Sequence, residues 1–214
     1  MARSDTGAEK GMTQETDGQL TSLDVNEPIW ERFFTLAPIV LVGTQEPDGK
    51  PDIAPKHLAI PMSWDNYFGF VCTPRHATYT NVQRTGVFTV TYPRPEQVLY
   101  TSLAASPRCG DGGGKPVLNA FDTMPAKKVD GVFVTGGYVY LECELFKIID
   151  GFDVNSLITG RVVAAHVHRD ALRISDADDQ DLLRKAPLFA YLYPGRFASI
   201  ADTNAFPMPA GMKR

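Results

Sequence analysis

The most constraining stretch of the chain lies between residues 38 and 62. A β-branched run, Ile39 to Thr44, leads into Glu46-Pro47-Asp48-Gly49-Lys50, and a second extended run, Pro51 to Met62, follows. Run, turn and run in this order specify an antiparallel hairpin with a loop of about five residues. The return run carries two internal prolines, Pro55 and Pro61. Each lacks a ladder donor, so this strand must be irregular or lie at an edge, where its backbone groups stay open to a ligand.

The same punctuation recurs downstream. With 18 glycines and 16 prolines in 214 residues, turns are frequent and strands short. Tyr67 to Cys72 and Val87 to Tyr92 read as strands around a short helix that starts at Thr73-Pro74, runs through Thr78, Asn81 and Val82, and ends at Gly86. Val132 to Ile149 reads as one long half-buried strand, with Val139, Leu141, Cys143 and Leu145 on one face and Tyr138, Tyr140, Glu142 and Glu144 on the other. Its antiparallel partner is predicted at Leu157 to His168, across a turn at Asp150-Gly151. Further helices are expected from Asn26-Glu27-Pro28 to about Leu36, over Glu96 to Ala105, and over Asp178 to Lys185, whose acidic start and basic end suit the helix dipole. Meandering strands with inserted short helices predict a mainly β fold, a closed or nearly closed antiparallel barrel with short peripheral helices. Residues 1–22 are polar and read as a mobile tail, and residues 23–214 as one domain.

Composition excludes several classes of function. Lys+Arg 21 against Asp+Glu 25 gives a net charge of -4, without the basic excess that nucleic-acid binding requires. The longest apolar stretches, Ala37 to Gly43 and Val162 to Val167, are far shorter than the about 18 residues of a membrane span. The polar N-terminus has no signal-peptide core, and Cys72, Cys109 and Cys143 are odd in number and widely spaced. Both point to free thiols and a cytoplasmic location.

No catalytic motif stands out. The glycine-rich loop Ser106 to Lys115 lacks the glycine spacing and the Ser or Thr of a nucleotide-binding P-loop and reads as a connector. His166 and His168 share a strand face, but no nearby Cys or carboxylate completes a tetrahedral metal set, and His57 is the only other candidate. Cys143 reads as a small core hydrophobe. The segment richest in chemistry is Cys72-Thr73-Pro74-Arg75-His76-Ala77-Thr78-Tyr79-Thr80-Asn81, a strand end running into a helix start. Free amides and the dipole attract an anion there, and Arg75 can clamp a phosphate.

At these residues the chain resembles the flavin reductase-like family. The likeness runs through Pro38 to Thr44, Asp48 to Pro55, Arg75 to Val82, Thr85 to Val90, Leu141 to Leu145 and Gly160 to Ala164, from about residue 30 to 200. It implies an FMN-binding split barrel, generally a homodimer. It also implies that Ile53, Ala54, Pro55, Lys56 and His57 run along the flavin ring, while Thr73, Arg75, Thr78 and Asn81 hold the ribityl phosphate end. The family pattern often has Asn where this chain has Asp52, and Ser near His57. The implied activity is hydride transfer from NAD(P)H to flavin, serving a monooxygenase or another flavin acceptor. The alternatives are an FMN-holding electron carrier fed by a protein partner and a flavin-binding barrel without reductase activity. No catalytic side chain is needed, because the cofactor carries the chemistry.

Overall fold

The computed structural model describes residues 12–16, 20–107, 115–174 and 178–211. Within the segment read as a polar tail, β1 (Met12–Thr16) and β2 (Leu20–Leu23) pair as an antiparallel hairpin. The helix expected to reach Leu36 does not form. Only Trp30–Arg32 makes a 3-10 turn, Phe33 is already extended at φ -152°, and Thr35–Pro38 is a strand, β3. The apolar residues at helical spacing find no surface to cover: Trp30, Phe33 and Phe34 are all exposed. Without tertiary burial, a short helix cannot offset its nucleation cost.

The hairpin forms as predicted, β4 (Val40–Gln45) pairing with β5 (Pro51–Lys56) in register Gln45 to Pro51. Gly49, at φ 84°, closes the turn, its amide donating to the Glu46 carbonyl at 2.9 Å. After two residues, β6 (Ala59–Pro61) leads to β7 (Tyr67–Cys72), α1 (Ala77–Thr85), β8 (Val87–Tyr92) and α2 (Val98–Leu103). A small hairpin of β9 (Thr123–Pro125) and β10 (Val132–Val134) precedes the long pair β11 (Val139–Phe152) and β12 (Asn155–Val167). The chain then runs through α3 (Asp179–Lys185), β13 (Leu188–Tyr193) and β14 (Arg196–Ile200).

Two expectations for the long strand are corrected. It is interrupted at Gly136-Gly137, where Gly136 takes φ 81° and a Cβ on Gly137 would lie 2.5 Å from Thr91 Cγ2. Its hairpin turns at Asp153-Val154 rather than at Asp150-Gly151, where the register instead shifts in a bulge.

Seven strands form one antiparallel sheet in the order β5-β4-β8-β11-β12-β7-β6. Its two edge strands, β5 and β6, are separated in sequence by His57 and Leu58 alone. Such a link spans about 11 Å at full extension, so the sheet has to curl until its edges meet. This is the predicted split barrel. Val40, Val42, Phe68, Phe70, Phe88, Val90, Cys143 and Ile158 fill the interior, with Phe70 and Phe88 edge to face at 5.2 Å. Gly160 is required there, since a Cβ would sit 2.6 Å from the Phe88 ring. A second sheet, β14-β13-β3, lies outside the seven-stranded one.

Candidate functional site

The site is built where β7 hands over to α1. His76 is the N-cap of the helix, and Gly86, left-handed at φ 72°, is its C-cap. Thr73, Pro74 and Arg75 form the turn before it rather than its first residues. Thr78, Tyr79, Asn81 and Val82 make the buried face. Thr78 Oγ1 donates to Asp52 Oδ2 at 3.4 Å, and Asn81 Nδ2 donates to Thr44 Oγ1 at 3.2 Å. Those two side chains therefore dock the helix on the β4–β5 hairpin, while Arg75 stays exposed, its guanidinium without a hydrogen bond among the described residues.

The sequence-predicted ring residues lie on β5 and just beyond it. Their strand is an edge of the sheet, laddered only to β4. Ile53 and Ala54 are buried, Ile53 among Leu41, Ala104 and Val134. Pro55 adds no donor. Lys56 Nζ is buried and donates to Cys72 Sγ at 3.4 Å. His57 is half-buried against two rings of β13, 4.9 Å from Tyr191 and 5.7 Å from Tyr193, the latter stacked at 14°.

Charge converges on Asp52, the buried residue between these groups. Lys115 Nζ lies 3.5 Å from Asp52 Oδ1 and donates to the carbonyls of Ile53 and Ala104 at 3.4 and 3.1 Å. Burial pushes the His76 imidazole below its ordinary value, and Lys56 and Lys115 push it further, against an opposing pull from Asp52. Burial and then Lys56 depress His57 in the same way. Two lysines and the neighbouring Arg75 thus outnumber one carboxylate, which favours an anion at the start of α1.

Beside this start lies a cleft of about 370 Å³ lined by Thr73, Pro74, Arg75, Tyr79 and residues of the β11–β12 turn. Asp150 Oδ1 accepts there from Ser156 Oγ at 2.6 Å and from the Tyr79 hydroxyl at 3.1 Å. The nine predicted residues therefore fall into three places: β5 and His57, the cleft mouth with Thr73 and Arg75, and the helix underside with Thr78 and Asn81. Sequence reasoning missed Lys115, Tyr191, Tyr193 and Asp150 as neighbours of the site. The departure at Asp52 was the one legible signal.

The histidine pair separates in its contacts. His166 Nε2 is 3.2 Å from buried Glu142 Oε1, and His168 Nδ1 is 2.6 Å from Asp170 Oδ1. Among the described residues no group of three or more His, Cys, Asp or Glu could hold a metal. Cys109 and most of the glycine-rich loop, residues 108–114, lie outside the described residues.

Residues 34–194 match the flavin reductase like domain. The chain belongs to the flavin reductase-like family. A protein of unassigned function from Methanothermobacter thermautotrophicus is 27% identical over 183 residues, covering 79% of this chain and 82% of its own. The structure of 2-nitrobenzoate 2-nitroreductase from Pseudomonas fluorescens superposes with a TM-score of 0.72 at 20% identity, covering 94% of this chain and 99% of that one. Flavoredoxin from Methanosarcina acetivorans gives a TM-score of 0.71 at 16% identity, over 89% and 96% of the two chains. The two structural likenesses establish the split-barrel fold, and family membership marks the protein as a flavin-related oxidoreductase.

Proposed function

We propose that the protein binds FMN and transfers hydride to it from NAD(P)H. The observation that carries this reading is the placement of β5, whose unladdered side ends next to the cationic start of α1. The residues present suit the cofactor chemically. An edge strand offers backbone donors and acceptors of the kind a flavin pyrimidine edge needs, and Arg75 with the amides of Ala77 and Thr78 at the start of α1 suits a terminal phosphate. Ile53, Ala54, Pro55, Lys56 and His57 would face the ring, and Thr73 and Arg75 the phosphate. Thr78 and Asn81 would serve by fixing the helix that presents those amides.

Bound FMN would supply hydride acceptance and onward electron transfer, so the protein's own part is to bind, orient and screen from water. The compact anion site, with no second nucleotide motif, favours FMN over FAD. The reduced flavin would serve a monooxygenase or another flavin acceptor, and the protein would act in the cytoplasm. No helix among the described residues is long and apolar enough to cross a membrane.

We also infer a homodimer. Trp30, Phe34, Leu36, Leu58, Ile60 and Trp64 are large apolar residues left exposed, Trp64 at 95%. Exposed apolar side chains in such number mark an interface. A second reading, an electron carrier reduced by a protein, draws support from the likeness to flavoredoxin. The test is a visible spectrum of the purified protein, followed by stopped-flow mixing with NADH and NADPH under anaerobic conditions. Bleaching of the flavin band within milliseconds to seconds supports the reductase; a bound flavin that neither nucleotide bleaches supports the carrier.

A further inference from the structure

Cys72 and Lys56 form a pair that neither packing nor the proposed hydride transfer accounts for. Both are buried, at 3% and 8% exposure, and the one hydrogen-bond partner of the Lys56 amine among the described residues is the Cys72 sulfur at 3.4 Å. A sulfur is a weak acceptor for a buried amine with several protons to place. Both described thiols belong to the same apolar cluster, but among the described residues only Cys72 also takes a hydrogen bond from an amine. Cys143 lies fully buried in the apolar cluster, and burial pushes it up to about 12, which keeps it protonated and inert.

Cys72 differs from Cys143 in two further ways. It is the last residue of β7, directly before Thr73 on the wall of the 370 Å³ cleft, and its ladder partner Ser156 lines the same cleft. The cleft wall thus begins at the residue that follows Cys72 and at its cross-strand partner. Its neighbour is also a primary amine, a second nucleophile held at near-contact distance.

We propose that Cys72 and Lys56 are a peroxide-sensitive pair that closes into a covalent Lys–O–Cys bridge. Hydrogen peroxide is the oxidant. The Cys72 sulfur attacks one peroxide: an S–O bond forms, the O–O bond breaks and water leaves, giving the sulfenic acid. The Lys56 amine attacks a second peroxide: an N–O bond forms, the O–O bond breaks and water leaves, giving the hydroxylamine. The hydroxylamine oxygen then displaces hydroxide from the sulfenic sulfur, and with the released proton it leaves as a third water. Two peroxides are reduced, four electrons leave the pair, and one oxygen atom remains between nitrogen and sulfur. Two dithiol equivalents reverse the change.

The consequence rests on the proposed function, in which Lys56 faces the flavin ring. A bridged Lys56 is tied to β7 and cannot serve there, so peroxide, the product of reduced flavin left to oxygen, would switch the site off.

The experiment treats the full-length protein with hydrogen peroxide and maps its peptides by mass spectrometry, with and without dithiothreitol. The bridge predicts a linked species joining the Lys56 and Cys72 peptides, with one oxygen gained and two hydrogens lost, abolished by dithiothreitol. It must be missing from Cys72→Ser and from Lys56→Gln, each checked for folding by circular dichroism. In Lys56→Gln, Cys72 should stop at sulfenic or sulfinic acid. Oxidation of Cys72 without linkage in the wild type overturns the bridge, as does a wild type in which Cys72 resists peroxide that modifies Cys109. FMN titration of the same bridged sample separates the two claims: a bridge that forms while FMN affinity is unchanged removes Lys56 from the flavin site and leaves the bridge standing.

Discussion

The imidazole of His57 lies nearly parallel to the phenol of Tyr193, ring centroids 5.7 Å apart at 14°, with Tyr191 on the same strand 4.9 Å away. The stack joins the link between the barrel edges to the outer sheet. A ring held this way, depressed by burial and by Lys56, is neutral at pH 7. His57→Ser should therefore leave the flavin midpoint potential unchanged above about pH 6.5 while lowering stability by about 0.5–1.5 kcal/mol through the lost stack. The pH dependence has a definite sign. The unfolded chain protonates His57 near pH 6.5, whereas the folded chain resists, so this residue's contribution is complete above that value and is lost as pH falls through the window below it. Denaturant titrations at pH 7.5 and about 5.5 should show wild type losing more stability than His57→Ser.

Arg75 and Thr78 should fail differently. Arg75→Ala should weaken FMN by about 1.5–3 kcal/mol, roughly 10- to 150-fold, and leave riboflavin nearly unaffected. Thr78→Ala removes the hydrogen bond to buried Asp52. It should cost about 1 kcal/mol of stability and shift FMN and riboflavin alike. Parallel fluorescence titrations with both flavins distinguish a phosphate contact from a docking contact.

Glu142 should dominate the acid limb of stability. Burial pushes its carboxyl up, but the amides of Lys128, Lys127 and Val129, with His166, outweigh that and hold it below its ordinary 4.5. Its contribution is complete above pH 4.5 and lost as pH falls through the folded value. Glu142→Gln should lower stability at pH 7 by about 1.5–3 kcal/mol, and its stability should fall less steeply than wild type below pH 4.5. Thermal melts from pH 3 to 7 provide the check.

The exposed Trp64 should report on assembly. Light scattering should give a dimer for wild type, and Trp64→Glu should shift it toward monomer with weakened flavin retention. A wild-type monomer that keeps its flavin at nanomolar concentration would defeat the dimer.

Local signals carried most of the barrel into the sequence. The β4–β5 turn was legible because Gly49 and Asp48 act within five residues, and β7, α1 and β8 because Gly86 and the β-branched runs mark their own ends. The helix at 26–36 misled because spacing suggests burial but cannot supply a partner surface. Alternation failed at Glu142 for the converse reason. The amides that make its burial tolerable come from Lys127–Val129, on another segment, and residue type gives no hint of them. The candidate site was proposed from local chemistry, the proline-interrupted strand at Pro55 and the turn at Arg75. It was illegible where distant segments converge, as Lys115 does on Asp52 and Tyr193 on His57.

The two-residue link between β5 and β6 bears on the order of folding. Each edge strand can pair locally, β5 with β4 and β6 with β7, but the cylinder closes only once the intervening strands join those two hairpins. Those pairings, such as Cys72 with Ser156 across β7 and β12, join residues distant in sequence, so closure belongs late in the reaction. A ligand seated along β5 would hold contacts that the transition state has not yet made. Such contacts retard unfolding and leave the folding rate alone, so a ligand seated there would act as a brake on opening, and the loaded protein would be protected chiefly by its lifetime.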